Sequence, residues 1–194
     1  MIYQLIGLVL FLVGSSHLLG WAEIPEKKFI ETSQKYFSRI SAIGFFKELW
    51  FLGRTTFSVI VLVLLTTYDF KLGLACISVF LVIVGVEQLV KLAVNRRRPF
   101  DVYPSIQMLQ PQQPTDASFP SGDSLRIWFL AMIIPIAAGF NIYFLIALIL
   151  IALLVSLGRI VMGVHYLSDI LAGAGLGILG AGTTIWIWQV FSLL

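Results

Sequence analysis

From Ile127 to Gly158 the chain carries no Asp, Glu, Lys or Arg, a stretch too apolar for water and too long for one crossing of a bilayer. A spanning helix needs roughly 20 mostly apolar residues, so the stretch must divide, and Ala138-Gly139-Phe140-Asn141 is the turn-forming point where it can. The same rule finds further spans. Met1 to Ala22 is free of charged residues, and it lacks a basic leader and a small-residue cleavage pattern, so it is expected to be retained as a first span. Further spans are expected from about Phe51 to Tyr68, from about Leu72 to Val94, and from near Ser168 to about Val190. The fold class predicted is all-α, a polytopic membrane helical bundle of about six transmembrane helices.

Composition excludes the soluble classes: of 194 residues, 59% are hydrophobic and 12% charged, with a mean hydropathy of +0.96. The expectation is a single membrane-embedded domain over residues 1–194. A net charge of +3 suits anionic head groups or phosphates and disfavours nothing else. Cys76 has no second cysteine in the chain with which to pair. Five glycines, Gly173, Gly175, Gly177, Gly180 and Gly182, mark the last span as a close-packing surface.

Between the first two spans the pattern changes. Phe29, Ile30, Tyr36, Phe37, Ile40 and Ile43 fall on one side of a helical wheel, and Lys27, Lys28, Glu31, Lys35 and Arg39 on the other. That predicts an amphipathic helix lying in the membrane interface.

If six spans alternate sides, most ionisable groups meet at one face, in three clusters. Lys91 and Arg98 are seven residues apart, about two helical turns, with Pro99 ending the helix. Glu87, one turn before Lys91, is its expected partner within the bilayer. Pro120-Ser121-Gly122-Asp123 places a tight turn and a hydroxyl at a helix start, where free N–H groups form an anion site. The third cluster runs from Gly158 to Asp169. Its His165 and Asp169 are four apart, so one turn sets the carboxylate against a ring nitrogen and fixes the tautomer of the other. His17, in the first span with no charged neighbour, reads as structural.

In order and spacing these clusters resemble the type 2 phosphatidic acid phosphatase superfamily, whose signature is K-x6-R-P, then P-S-G-H, then S-R-x5-H-x3-D. Lys91, Arg98 and Pro99 match the first motif, Pro120, Ser121 and Gly122 the second, and Arg159, His165 and Asp169 the third. The resemblance implies a lipid phosphatase working through a phosphohistidine intermediate, with no metal and no other cofactor. His165 is then the nucleophile and Asp169 its orienting carboxylate, while Lys91, Arg98, Ser121, Gly122 and Arg159 hold phosphoryl oxygens. Lipid phosphates and bilayer lipids are the implied partners, and nucleic acid is not among them.

Two positions depart from the signature. Gly158 stands where the family has serine, and Asp123 stands where it has the histidine that protonates the leaving group. Three roles follow for Asp123: a tuned acid, a base that activates water on the phosphohistidine, or a helix cap in a protein that only binds lipid or phosphate. A diphosphate substrate fits the departure, because its leaving phosphate, with a second pKa of about 6, needs no proton. Undecaprenyl diphosphate is the leading substrate, with phosphatidic acid, phosphatidylglycerol phosphate, lipid A phosphate and phosphoryl transfer to another lipid as alternatives. The resemblance implies a bacterial inner membrane with the site facing the periplasm or exterior. Counting Lys27, Lys28, Lys35, Arg39, Lys47, Arg96 and Arg97 on the active face against Lys71 opposite points the other way, to the cytoplasm.

Overall fold

A computed structural model describes residues 2–39 and 41–192. Met1, assigned above to the first span, and Ile40, assigned to the interfacial helix, lie outside the described residues. The elements are helices: α1 Ile2–Ser15, α2 Glu23–Arg39, α3 Ile43–Leu49, α4 Thr55–Tyr68, α5 Phe70–Val94, α6 Pro99–Val102, α7 Gly122–Ala137, α8 Ile142–Val161 and α9 Leu167–Ser192. Two 3-10 turns, Ser16–Leu19 and Trp50–Gly53, follow α1 and α3. No strand occurs among the described residues.

Four segments are long and apolar enough to cross a membrane: Ile2–Leu19, Phe70–Val102, Ile142–Val161 and Leu167–Val190. A fifth forms if Ile43–Gly53 and Thr55–Tyr68, bent by 49°, are one span. The chain is an integral membrane protein. The expected second span is therefore a broken one. Its break falls at Arg54, which is extended (φ −75°, ψ 152°) and leaves the Gly53 carbonyl free to accept from Arg126 at 2.9 Å. The fourth expected span, α7, has 16 residues, short of the length counted for a crossing, and most of them are buried. Enclosed by neighbouring helices, it satisfies its surroundings through protein contacts and needs less length facing lipid. Leu5, Leu81, Leu89 and Leu150, all more than half exposed, supply the outer apolar surface that lipid covers.

The division between α7 and α8 falls at the predicted turn. Gly139 is left-handed (φ +83°), and the Asn141 side chain accepts from Tyr143 N and Phe144 N to start α8. Asp69 likewise caps α5, accepting from Leu72 N at 2.9 Å.

Helix α9 is the central element, packed on α1, α5 and α7. Its glycines permit this. A β-carbon on Gly173 would lie 2.2 Å from the Ser121 carbonyl oxygen, and one on Gly175 would lie 2.5 Å from Phe11 N. One glycine face therefore seats α9 against the start of α7 and another against α1, the close backbone approach that small residues allow in lipid. The α2 helix docks by Ile30, which is fully buried with Ile106, Ile160, Tyr166 and Ile170, while Ile24, Phe29 and Tyr36 remain exposed.

Candidate active site

The ends of α5, α7, α8 and α9 converge, and the three motif clusters meet there around a cavity of about 330 Å³. Lys91, Arg98, Gly122, Asp123, Arg126 and His165 line it, with Gln110 and Gln112 from the long loop at its rim. Helix periodicity delivers Lys91 on the last turn of α5, and Pro99 turns the chain so that Arg98 points back into the same space.

His165 sits between α8 and α9 and is 3% exposed. Its Nε2 lies 3.3 Å from Arg98 Nη1 and its Nδ1 lies 3.5 Å from Asp169 Oδ2. A guanidinium can only donate, so Nε2 carries the lone pair and Nδ1 the proton. Such distances tighten when a substrate fills the site. Burial, reinforced by the Arg98 charge, pulls the imidazole pKa down to about 4 despite Asp169. The ring is neutral at physiological pH, with a bare nitrogen beside two cations.

Asp169 is fully buried. Its Oδ2 accepts from Tyr166 N at 2.9 Å and from the Ser118 hydroxyl, and its Oδ1 accepts from Arg96 Nη1 at 2.6 Å. Ser118 and Arg96 thus belong to the site, although no motif marked them as such.

Lys91 pairs with Glu87 at 2.8 Å, the partner expected from the i−4 spacing. It also pairs with Asp116, whose other oxygen takes Arg98 Nη2 at 2.7 Å. Arg98 further donates to the carbonyls of Asp116 (3.0 Å) and Val164 (2.8 Å), which fixes its fork. Burial raises the Asp116 pKa, but Lys91 and Arg98 outweigh it and hold the carboxyl down at about 2. This half-exposed carboxylate occupies the two cations that an incoming phosphoryl group would need. Asp116→Asn is expected to tighten inhibition by inorganic vanadate severalfold, measured as the inhibition constant at neutral pH; an unchanged constant would place the oxyanion elsewhere.

Asp123 lies on the first turn of α7 between two arginines. Arg126 Nη2 donates to Oδ1 at 2.8 Å, and Arg159 Nε faces Oδ2 at 3.2 Å. Arg126, a pocket cation one turn beyond Asp123, was absent from the motif reading, though its i+3 spacing made it findable. Arg159 is fully buried and is held by the Trp50 carbonyl (2.8 Å) and Gln110 (3.2 Å), behind the pocket wall. Ser121 is fully buried and caps α7, accepting from Ser124 N at 3.3 Å. Its own N–H donates to the Asp169 carbonyl at 3.0 Å, which ties the second motif to the third. Gly122 sits against the Glu87 carboxylate: a β-carbon there would be 2.3 Å from Oε1. His17 lies apart from the cavity, its ring 4.5 Å from that of Phe119.

Among the described residues no three His, Cys, Asp or Glu side chains converge as metal ligands would. Cationic side chains fill the cavity instead, an arrangement able to bind a multiply charged oxyanion against a neutral imidazole.

The PAP2 superfamily matches residues 69–192. An undecaprenyl-diphosphatase of Sulfolobus acidocaldarius is 31% identical over 107 residues, which cover 55% of this chain and 50% of that protein. The matched stretch thus spans half the length of that relative. The crystal structure of a transmembrane PAP2 type phosphatidylglycerolphosphate phosphatase from Bacillus subtilis superposes with a TM-score of 0.70 at 23% identity, covering 96% of each chain. Aquifex aeolicus LpxE superposes at 0.60 with 24% identity, over 74% of this chain and 85% of that one. The overall fold is shared with both.

Proposed function

Given that the chain belongs to the PAP2 superfamily, we propose that it is a membrane lipid phosphatase that removes the terminal phosphate of a polyprenyl diphosphate such as undecaprenyl diphosphate. His165 Nε2 attacks the terminal phosphorus, the bond to the bridging oxygen breaks, and the lipid monophosphate leaves. Asp169 steadies the Nδ1 proton and the positive charge that develops on the ring. Lys91, Arg98 and the Gly122 N–H bind the phosphoryl oxygens, and Arg126 faces the leaving phosphate. Ser121 and Arg159 act from behind, one by shaping the turn and the other by holding Asp123. Water then attacks the phosphohistidine, releasing inorganic phosphate and regenerating the imidazole.

The observation that carries the choice of a diphosphate is the setting of Asp123. Both its oxygens face guanidinium donors, the arrangement of an acceptor-only carboxylate. No acid then stands ready to protonate an alkoxide, and a leaving phosphate needs none. The name of the Sulfolobus relative points the same way. No step uses a metal, since cations of the chain supply the positive field.

The test is the initial rate of phosphate release, in detergent with EDTA, from undecaprenyl diphosphate, undecaprenyl phosphate, phosphatidylglycerol phosphate and phosphatidic acid. The diphosphate is expected to exceed the monoesters by about 10²-fold or more in kcat/KM, the 10²–10⁴-fold range that a missing general acid spans. Comparable monoester turnover would overturn the substrate assignment, and loss of all turnover with EDTA would overturn the metal-free chemistry.

A further inference from the structure

The carboxylate that orients His165 is itself held by residues that the three motifs leave unspecified. Asp169 Oδ1, the oxygen turned away from the ring, accepts from Arg96 Nη1 at 2.6 Å. The same guanidinium nitrogen donates to Ser168 Oγ at 2.7 Å, and Nη2 donates to Glu26 Oε2 at 2.7 Å. Glu26 Oε1 accepts from Ser168 N at 2.7 Å, closing a ring that joins α2, the segment after α5, and the first turn of α9. Glu26 is 6% exposed, and the Arg96 guanidinium lies 3.8 Å from the centroid of the Tyr166 ring. With Ile30 buried beside Tyr166, and Gln34 donating to the carbonyls of Gln107 (2.6 Å) and Val161 (3.1 Å), α2 is fastened at three successive turns.

A carboxylate turns about its own bond, and only one orientation offers Oδ2 to His165 Nδ1. Tyr166 N and Ser118 act on Oδ2, the oxygen shared with the ring. Arg96 acts on the other oxygen, and the two together leave no freedom of rotation. Arg96, its side chain only 14% exposed, would in turn be misplaced without an anion opposite Asp169, and Glu26 is that anion.

We propose that Glu26 and Arg96 are positioning residues for phosphoryl transfer: Glu26, on the helix read as interfacial, holds Arg96, Arg96 holds Asp169, and through Asp169 they keep His165 in the tautomer with a bare Nε2. The proposal rests on His165 as the nucleophile. It adds Glu26, outside every signature motif, and Arg96, at an unspecified position within the first, and it wires the amphipathic helix to the chemistry through two side chains. Because Arg96 and Glu26 are absent from the cavity lining, they act on kcat and leave substrate affinity alone.

The experiment uses the full chain in detergent. Glu26→Gln keeps an acceptor for Ser168 N but removes the charge opposite Arg96; it is expected to lower kcat about tenfold, the effect of losing one charge-assisted hydrogen bond. Arg96→Gln is expected to lower kcat about 10²-fold, as misplacement of a reacting group does, and Arg96→Lys to recover part of that. KM should stay within about twofold throughout. The double variant should be no worse than Arg96→Gln, since the two residues act in series. The second readout is independent of turnover. The chain has two histidines, so ¹⁵N-histidine spectra, assigned with His165→Ala, report the His165 tautomer directly. The wild type should show Nδ1 protonated, and Arg96→Gln a mixture. An unchanged tautomer with unchanged kcat in Glu26→Gln and Arg96→Lys would overturn the proposal, as would losses that appear in KM or that multiply in the double variant. Absence of turnover in the wild type would defeat the functional reading alone, because the tautomer would still decide the relay.

Discussion

His165→Ala is expected to release no phosphate above the uncatalysed background, a loss on the order of 10⁴-fold or more, as removal of a nucleophile from a cooperating set produces. Binding should survive. Lys91 and Arg98 are held by Glu87, Asp116 and main-chain carbonyls, so the oxyanion site does not depend on the imidazole for its shape. Vanadate affinity within a fewfold of wild type, alongside lost turnover, separates a missing nucleophile from a collapsed pocket. In the wild type, brief exposure to substrate carrying a labelled terminal phosphate should leave label on the protein that is stable to alkali and labile to acid, and that is absent from His165→Ala. The pH dependence follows from the same ring. Attack requires neutral imidazole, and burial with Arg98 pulls its pKa to about 4; the folded pKa is depressed, so the reactive form persists as pH falls and is lost only through that value. Protein phosphorylation in a rapid-quench assay should therefore hold from neutral pH to about pH 5 and fall below it. Turnover that survives in His165→Ala would mean that another group attacks phosphorus.

Much of this site is legible in the sequence, because its central residues obey local spacing. Lys91 and Glu87, His165 and Asp169, and Ser121 as a cap are relations within one or two helical turns, where sequence distance fixes spatial distance. The division at Gly139 and Asn141 was readable for the same reason, as turn and cap chemistry is local. Residues joined across the fold were not. Asp116 reaches Lys91 from 25 positions away, and Glu26 reaches Ser168 from 142 away. Glu26 sat inconspicuously on a helix whose charges read as a solvated face. The break in the second span is not legible, because Phe51 to Leu65 looks continuous in hydropathy except at Arg54, while the break depends on Gly53 receiving Arg126 and on the close approach of Asp123 and Arg159 to Gly53. The resemblance places Ser121 and Arg159 on the phosphate; in the structure Ser121 Oγ accepts from Ser124 N, and Arg159 donates to the Trp50 carbonyl and to Gln110, partners that no local spacing announces for the arginine.

Asp123→His is expected to raise hydrolysis of a lipid monophosphate at least tenfold and to narrow the preference for the diphosphate, since a positioned general acid contributes typically 10²–10⁴-fold where the leaving group is an alkoxide. The side chain at this position faces the cavity from the first turn of α7. A histidine there carries a titratable proton near neutral pH, which a carboxylate held by Arg126 and Arg159 does not. The substitution also strands charge: Arg159 is fully buried and loses its carboxylate, a loss that costs about 3–5 kcal/mol for a buried pair. Asp123→Asn shares that penalty and supplies no acid, so the ratio of the two variants on one monoester isolates proton donation from electrostatics. A rise in the histidine variant alone establishes that the native chain works without an acid because its leaving group needs none. Equal rises would mean that Asp123 restrains monoesters by its charge. No rise in either would remove leaving-group protonation from the account, and phosphohistidine accumulating in Asp123→Asn would assign the carboxylate to activation of water in the second half of the reaction.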